Sequence, residues 1–283
     1  MMHRYEVVDV FTDTPLQGNP VAVFTGAAGL SAEVMQSAAR EMNLSESVFV
    51  VDGRSDPGGY DAHIRIFTPA TELPFAGHPV LGTAFVIGEA QRLALVRLKT
   101  AAGVIPIALS RERDRIIYGE MEQPIPEFAP FDRADDVLTA VGVERSELPV
   151  MSCRNGPVHV YVALANEGAV AALDPDLTAL RGFDGVGVSC FAGRGGRFKT
   201  RMFGPGVGVP EDPATGSAAG PLAVHLARHG WSEYGRPIQI RQGEEIGRPS
   251  VIHARVDGSD ERVERVAVGG AAVVVAHGEY RLD

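Results

Sequence analysis

The chain has 283 residues, 45% of them hydrophobic, and a formal net charge of −10. That length suits two domains, each able to bury its own core, while the acidic balance removes the basic footprint of a nucleic-acid binder. No apolar run reaches the ~18 residues of a membrane span, so the expected partner is a small molecule. The opening Met1-Met2-His3-Arg4-Tyr5-Glu6 lacks the long apolar stretch of a secretory signal, which points to a cytoplasmic protein.

In chain order, Tyr5 to Val10 and Val21 to Phe24 are predicted strands parted by the turn Leu16-Gln17-Gly18-Asn19. Ser31 suits an N-cap, and Val34, Met35, Ala38, Ala39 and Met42 recur at helical spacing, so a helix should run from there and stop before Asn43. Ser47 to Val51 and His63 to Phe67 have strand character around the polar turn Ser55-Asp56-Pro57-Gly58-Gly59. Pro79 to Ala90 and Ala218 to Arg228 are apolar around most of their circumference, the mark of a helix buried on all sides. Short Val-rich strands can wrap such a helix. Met121 to Pro130, with Pro124, Pro126 and Pro130, is the expected linker. Cys153 and Cys190 lie in strand-like surroundings without metal-ligand spacing and read as buried thiols.

One phrase occurs twice. Arg65-Ile66-Phe67-Thr68-Pro69 leads to Glu72-Leu73-Pro74-Phe75-Ala76-Gly77-His78, and Arg201-Met202-Phe203-Gly204-Pro205 leads to Glu211-Asp212-Pro213-Ala214-Thr215-Gly216-Ser217. The first part recurs 136 residues on (65 to 201), the second 139 (72 to 211), and Pro20-Val21-Ala22-Val23-Phe24 matches Pro157-Val158-His159-Val160-Tyr161 at 137. The expected fold is therefore α+β, with two pseudo-symmetric domains, each a β-barrel-like sheet wrapped around a central α-helix. The boundaries expected are 1–126 and 127–283, with a return of the last strand to the first domain left open. A ligand site belongs in the cleft where the matching turns face each other.

His78 and Ser217 occupy equivalent places after the turn glycines, at the mouths of the two central helices. Either can be read as a helix cap, Ser217 especially, but a helix N-terminus also offers free N–H groups and a partial positive charge to a carboxylate. Gly77 and Gly216 let a ligand approach that backbone closely. Asp212 stands where the first copy has Leu73; it is either a turn residue or a carboxylate that charges His78, fixes its tautomer or binds a substrate ammonium or hydroxyl group. Glu72 and Glu211 recur in both copies and are expected to anchor the turns. No phosphate loop, dinucleotide fingerprint or spaced metal set is present, so no cofactor and no metal are expected. Gly193-Arg194-Gly195-Gly196-Arg197 reads as a hairpin loop.

Gly18-Asn19-Pro20-Val21-Ala22-Val23-Phe24, Arg40-Glu41-Met42-Asn43-Leu44-Ser45-Glu46-Ser47, the two glycine turns, Cys190-Phe191-Ala192-Gly193 and Gly243-Glu244-Glu245-Ile246-Gly247-Arg248-Pro249-Ser250 resemble the PhzF family of phenazine-biosynthesis isomerases and, beyond it, the diaminopimelate-epimerase-like fold. The resemblance spans nearly the whole chain. It implies a cofactor-independent isomerase, a homodimer, acting on trans-2,3-dihydro-3-hydroxyanthranilate: one proton moves around the ring, and the resulting enol tautomerises to a ketone that can dimerise toward phenazines. It also implies Glu46 as the shuttling acid/base, with His78, Asp212 and Ser217 polarising the substrate and Ser45, Gly77 and Gly216 binding it. The wider fold carries a cysteine in each glycine turn. Ala76 and Thr215 stand there in this chain, and neither can serve as a base near neutral pH, so two-thiol racemisation is excluded. Read from the residues, Glu46 sits at the rim of the apolar run Val48-Phe49-Val50-Val51, where a raised pKa is expected, and Asp184 is its rival from the second half. Other readings are a related isomerase or epimerase for another small amino acid or natural-product intermediate, and a non-catalytic binding protein.

Overall fold

The computed structural model describes residues 2–52 and 59–282; the turn expected at Ser55–Gly59 lies outside them except for Gly59. In chain order come β1 (Met2–Val10), β2 (Asn19–Phe24), α1 (Ala32–Met42), β3 (Glu46–Asp52), β4 (Ala62–Phe67), β5 (Glu72–Leu73), α2 (Gly77–Gln91), β6 (Leu95–Thr100), β7 (Gly103–Glu112) and β8 (Arg115–Gln123). Then follow β9 (Glu127–Pro130), α3 (Ala134–Val141), β10 (Met151–Arg154), β11 (Val158–Ala163), α4 (Glu167–Ala171), α5 (Leu177–Arg181), β12 (Val186–Arg194), β13 (Arg197–Gly204), β14 (Val209–Asp212), α6 (Gly216–Arg228), β15 (Ile238–Gln242), β16 (Ser250–Gly258), β17 (Val263–Gly270) and β18 (Ala272–Arg281).

The chain divides into one unit of Met1–Glu122 with Gly269–Asp283 and a second of Gln123–Val268. The second unit thus ends well short of residue 283, because β18 pairs antiparallel with β1 from Met2↔Arg281 to Val10↔Ala272. The proline-rich stretch is also less of a linker than its composition suggests. Met121–Gln123 finishes β8 and Glu127–Pro130 is a strand paired with β10, leaving only residues 124–126 irregular. Pro130 is tolerated at the strand end, where a missing N–H costs least.

In the first unit β18, β1 and β2 are antiparallel neighbours, β2 runs parallel to β3, and β3 pairs antiparallel with β4. From β4 the sheet continues through β6 and β7 to β8. The turn into β2 needs Gly18, at φ +67°, where a Cβ would come within 2.3 Å of the Val10 carbonyl oxygen. α1 starts at Ser31, whose hydroxyl accepts from the Val34 N–H, and stops at Asn43 in the left-handed conformation. Its buried stripe, Met35, Ala38 and Ala39, packs with Phe24, Phe49 and Phe67, of which Phe24 and Phe49 stack at 4.7 Å. α2 is the central helix. Every residue from Gly77 to Gly88 is buried, and at Gly82 a Cβ would lie 2.7 Å from Val21 and 2.9 Å from Val10, so the helix seats directly on the sheet.

The second unit repeats the plan. β11 runs parallel to β12, β12 pairs antiparallel with β13, and β13 continues through β15 to β16. Val137 of α3, Val170 of α4 and Leu180 of α5 pack with Val160, Val162, Val188 and Phe203. α6 is buried from Gly216 to Ala227. Burial all round is what the uniform apolarity of both central helices demands.

Glu72 and Glu211 anchor their turns by the same device. Arg65 on β4 donates to both oxygens of Glu72 (2.7 and 2.6 Å), and Arg201 on β13 donates to both oxygens of Glu211 (2.8 and 2.8 Å). Their surroundings differ: the Arg201–Glu211 side chains are 9% and 14% exposed, against 29% and 38% for Arg65–Glu72. Glu211→Ala leaves a desolvated guanidinium without its carboxylate, though still bonded to the Ala171 and Leu173 carbonyls, and should cost about 3 kcal/mol. Glu72→Ala should cost under about 1 kcal/mol. Urea unfolding of the two variants checks the order, and equal losses would contradict it.

Candidate active site

Within the first unit, two sequence-predicted residues meet. Glu46 opens β3 opposite Val21 of β2, and His78 is the second residue of α2. His78 Nε2 and Glu46 Oε2 approach to 3.3 Å, with side chains 5% and 14% exposed, but off hydrogen-bond geometry. Burial pushes the imidazole down to about 3, opposed by a hydrogen bond to the Pro20 backbone, so the ring is neutral at working pH and the contact is not an ion pair. Proline has no N–H, so the Pro20 group is its carbonyl and the ring donates to it. Because Nε2 makes no hydrogen bond, the donor is Nδ1–H. A lone pair on Nε2 therefore faces Glu46. It can accept from the carboxylic acid but gives nothing to the carboxylate, a suitable neighbour for a group that must hold and release a proton. The sequence left open whether His78 is held charged or fixed in tautomer; it is neutral, and Pro20 sets its tautomer.

Ala76, the N-cap of α2, offers no side chain to the helix N-terminus. The first-turn N–H groups, Gly77 and His78 among them, have no intrahelical partner, and the terminus favours an anion such as a substrate carboxylate. Ser45 is partly buried in the turn just before Glu46.

In the second unit the matching turn is held by a network. Thr215 Oγ1 donates to Asp212 Oδ2 at 2.5 Å. Gln242 Nε2 donates to the Asp212 carbonyl at 2.7 Å and to Thr215 Oγ1 at 2.9 Å, while Gln242 Oε1 accepts from Thr215 N–H at 3.3 Å and Thr200 Oγ1 at 3.0 Å. Ser250 Oγ donates to the Pro213 carbonyl at 3.0 Å. The segment from Gly243 to Ser250 thus lies beneath the turn. Gly243, at φ +79°, allows this, since a Cβ there would come 2.6 Å from the Pro213 carbonyl oxygen. Thr215 thus orients the Asp212 carboxylate.

Ser217 does not cap α6. The N-cap is Thr215, which makes no side-chain cap bond, and Ser217 Oγ lies 3.1 Å from His159 Nε2. Pro221 sits inside the helix and removes the N–H that would have met the Ser217 carbonyl, and Asn155 Nδ2 donates to that carbonyl instead, at 3.0 Å. Gln123 Nε2 does the same for the Gly216 carbonyl at 2.9 Å. His159, Asn155, Gln123 and Gln242 were not predicted from the sequence. Only His159 left a trace there, as a polar residue within a repeated apolar strand.

Strand register weighs Asp184 against Glu46. Val21 and Val158 are equivalent in the repeat; Val21 pairs with Glu46 and Val158 pairs with Val186. Valine therefore occupies the second-unit counterpart of Glu46, and Asp184 lies in the exposed turn after α5. Burial pushes the Cys153 and Cys190 thiols up to about 12. Among the described residues no group of His, Cys, Asp and Glu is arranged to hold a metal ion.

A model of the PhzC-PhzF family, described as phenazine biosynthesis-like protein, matches residues 8–278. The chain is 51% identical over 281 residues to a trans-2,3-dihydro-3-hydroxyanthranilate isomerase of Pseudomonas aeruginosa, covering 99% of this chain and 100% of that one. It is 49% identical to the protein of the same name from Pseudomonas fluorescens, over 98% and 99% of the two chains. Among solved structures, a PhzF-family phenazine biosynthesis protein of Bacillus anthracis superposes with a TM-score of 0.85 at 24% identity, covering 99% of each chain, and shares the fold. The chain belongs to the phenazine biosynthesis-like, PhzC-PhzF, family.

Proposed function

We propose that the protein is a cofactor-independent isomerase that converts trans-2,3-dihydro-3-hydroxyanthranilate to the ketone precursor of phenazines. The observation that carries the mechanism is a single carboxylate, Glu46, set against the lone pair of a neutral His78, with valine at the equivalent strand position of the other unit. Full-length identity of 51% to an isomerase named for this substrate supports the substrate. Glu46 takes a proton from one ring carbon. As the acid it either leans on His78 Nε2 or returns the proton to another ring carbon on the same face, giving the enol that tautomerises to the ketone. Asp212, oriented by Thr215, is assigned to the substrate ammonium or hydroxyl group, and Ser217 to a polar group that needs a donor. Ser45, Gly77 and Gly216 are assigned to binding. The reading includes a cytoplasmic homodimer.

The test is direct. Incubation with trans-2,3-dihydro-3-hydroxyanthranilate should abolish its diene absorbance, without added metal or nucleotide. Substrate deuterated at the donor carbon should keep part of its label at the acceptor carbon in ordinary water, because one shielded monoprotic base can return the proton it took. An unchanged spectrum would refute the substrate, and complete washout at the earliest turnovers would refute the shielded single base.

A further inference from the structure

Ser217 is fixed at two points. Asn155 holds its carbonyl, which Pro221 left free, and His159 meets its hydroxyl at 3.1 Å. The hydroxyl contact is not needed for the helix, whose N-cap is Thr215. His159 is 3% exposed on β11, and its other nitrogen, Nδ1, has no hydrogen-bond partner. The strand residue paired with His159 is Gly187, and a Cβ there would lie 3.0 Å from Nδ1, so the ring rests on a bare backbone methylene. Burial pushes the imidazole down to about 4, so it is neutral and carries one N–H.

That proton has two possible places. On Nδ1 it would be a buried donor without an acceptor; on Nε2 it meets Ser217 Oγ. Buried N–H groups without an acceptor are rarer than buried acceptors without a donor, which places the proton on Nε2. Ser217 Oγ then accepts from the ring, and the hydroxyl has its own single proton left to give. In the repeat, His159 corresponds to Ala22 and Ser217 to His78, so each unit has one imidazole at this pair of positions, on the helix in the first unit and on the strand in the second.

We infer that His159 is a positioning residue, whose Nε2–H donates to Ser217 Oγ and thereby directs the serine hydroxyl to donate to the substrate. This rests on the assignment of Ser217 to substrate made above. Two measurements test it separately from that reading. The 15N spectrum of histidine-labelled protein reads the tautomer without any turnover. Nε2 protonated and Nδ1 bare is the expected result; Nδ1 protonated would mean that the serine gives its proton to the ring, and the inference falls. In turnover of trans-2,3-dihydro-3-hydroxyanthranilate, Ser217→Ala and His159→Leu should each lower kcat/KM roughly tenfold, the scale of one lost hydrogen bond. The double variant should be no slower than Ser217→Ala alone, whereas multiplied losses would show that His159 acts elsewhere. His159→Gln, which can place an N–H near the same point, should recover most of the activity lost in His159→Leu, and failure to do so in folded protein counts against the inference. Wild-type protein that leaves this substrate unchanged would overturn the isomerase reading, and the tautomer would still decide this one.

Discussion

Glu46→Gln should lower turnover by ~10²–10⁴-fold, the range for removing a general acid/base, while substrate binding should change little. Glutamine keeps the shape of glutamate but cannot take a proton. Its amide N–H can also turn toward the lone pair on His78 Nε2, which lies 3.3 Å from the carboxylate oxygen it replaces. The loss should therefore appear in kcat. Little compensation is expected from the second unit, where Val186 occupies the corresponding strand position and Asp184 sits in an exposed turn. Measuring kcat and KM together is decisive, since near-normal kcat would remove Glu46 from the mechanism.

Stability should fall steeply between pH 7 and pH 5. Burial holds His78 down to about 3 and His159 and His225 to about 4, against an ordinary value of 6.5, with the charges of His229 and Arg228 adding to the effect at His225. Below pH 6.5 the unfolded chain binds protons at these rings that the folded protein refuses, so the folded state loses ground as pH falls toward about 4. At pH 5 each ring contributes on the order of 2 kcal/mol, whatever its folded value below that pH, and three together approach the whole stability of an ordinary domain. Burial lowers His63 and His253 as well, while Glu6, which burial pushes up, works in the opposite direction. Urea midpoints at the two pH values measure the effect. His225 lies against Tyr161, Phe128 and Phe191, so His225→Phe suits its surroundings and should remove about a third of the pH dependence. A midpoint equal at pH 7 and pH 5 would mean that these histidines are not held neutral.

The parts legible in the sequence share a local cause. α1 was bounded by Ser31 and Asn43 because cap chemistry is written in single residues, and α2 and α6 because uniform apolarity admits only a buried helix. The repeat pointed to the paired turns and to His78 and Ser217; Glu46 needed the family resemblance. What stayed hidden depends on pairing between distant segments. Composition made Glu127–Pro130 a linker, yet β10, more than twenty residues away, recruits it as a strand. Gln242, His159 and Asn155 have no motif of their own and become meaningful only when β15, β11 and the turn before it come to rest beside α6. The weight of Glu46 against Asp184 turned on strand register, which sequence offsets alone do not fix.

The pairing of β18 with β1 has a consequence for how the protein is made. The second unit is an insertion in the first, and the strand that finishes the first unit is synthesised after all of the second. A nascent chain that has emerged as far as Val268 can hold a complete second unit while β1 still lacks one neighbour, leaving the backbone groups of Met2–Val10 open on that side to pairing with other chains. The first unit, which holds Glu46, must then wait for a contact between the two ends of the described chain, the most non-local pairing in the molecule and the kind that closes slowly. Loss of the last dozen residues would fall on the unit that opens the sequence.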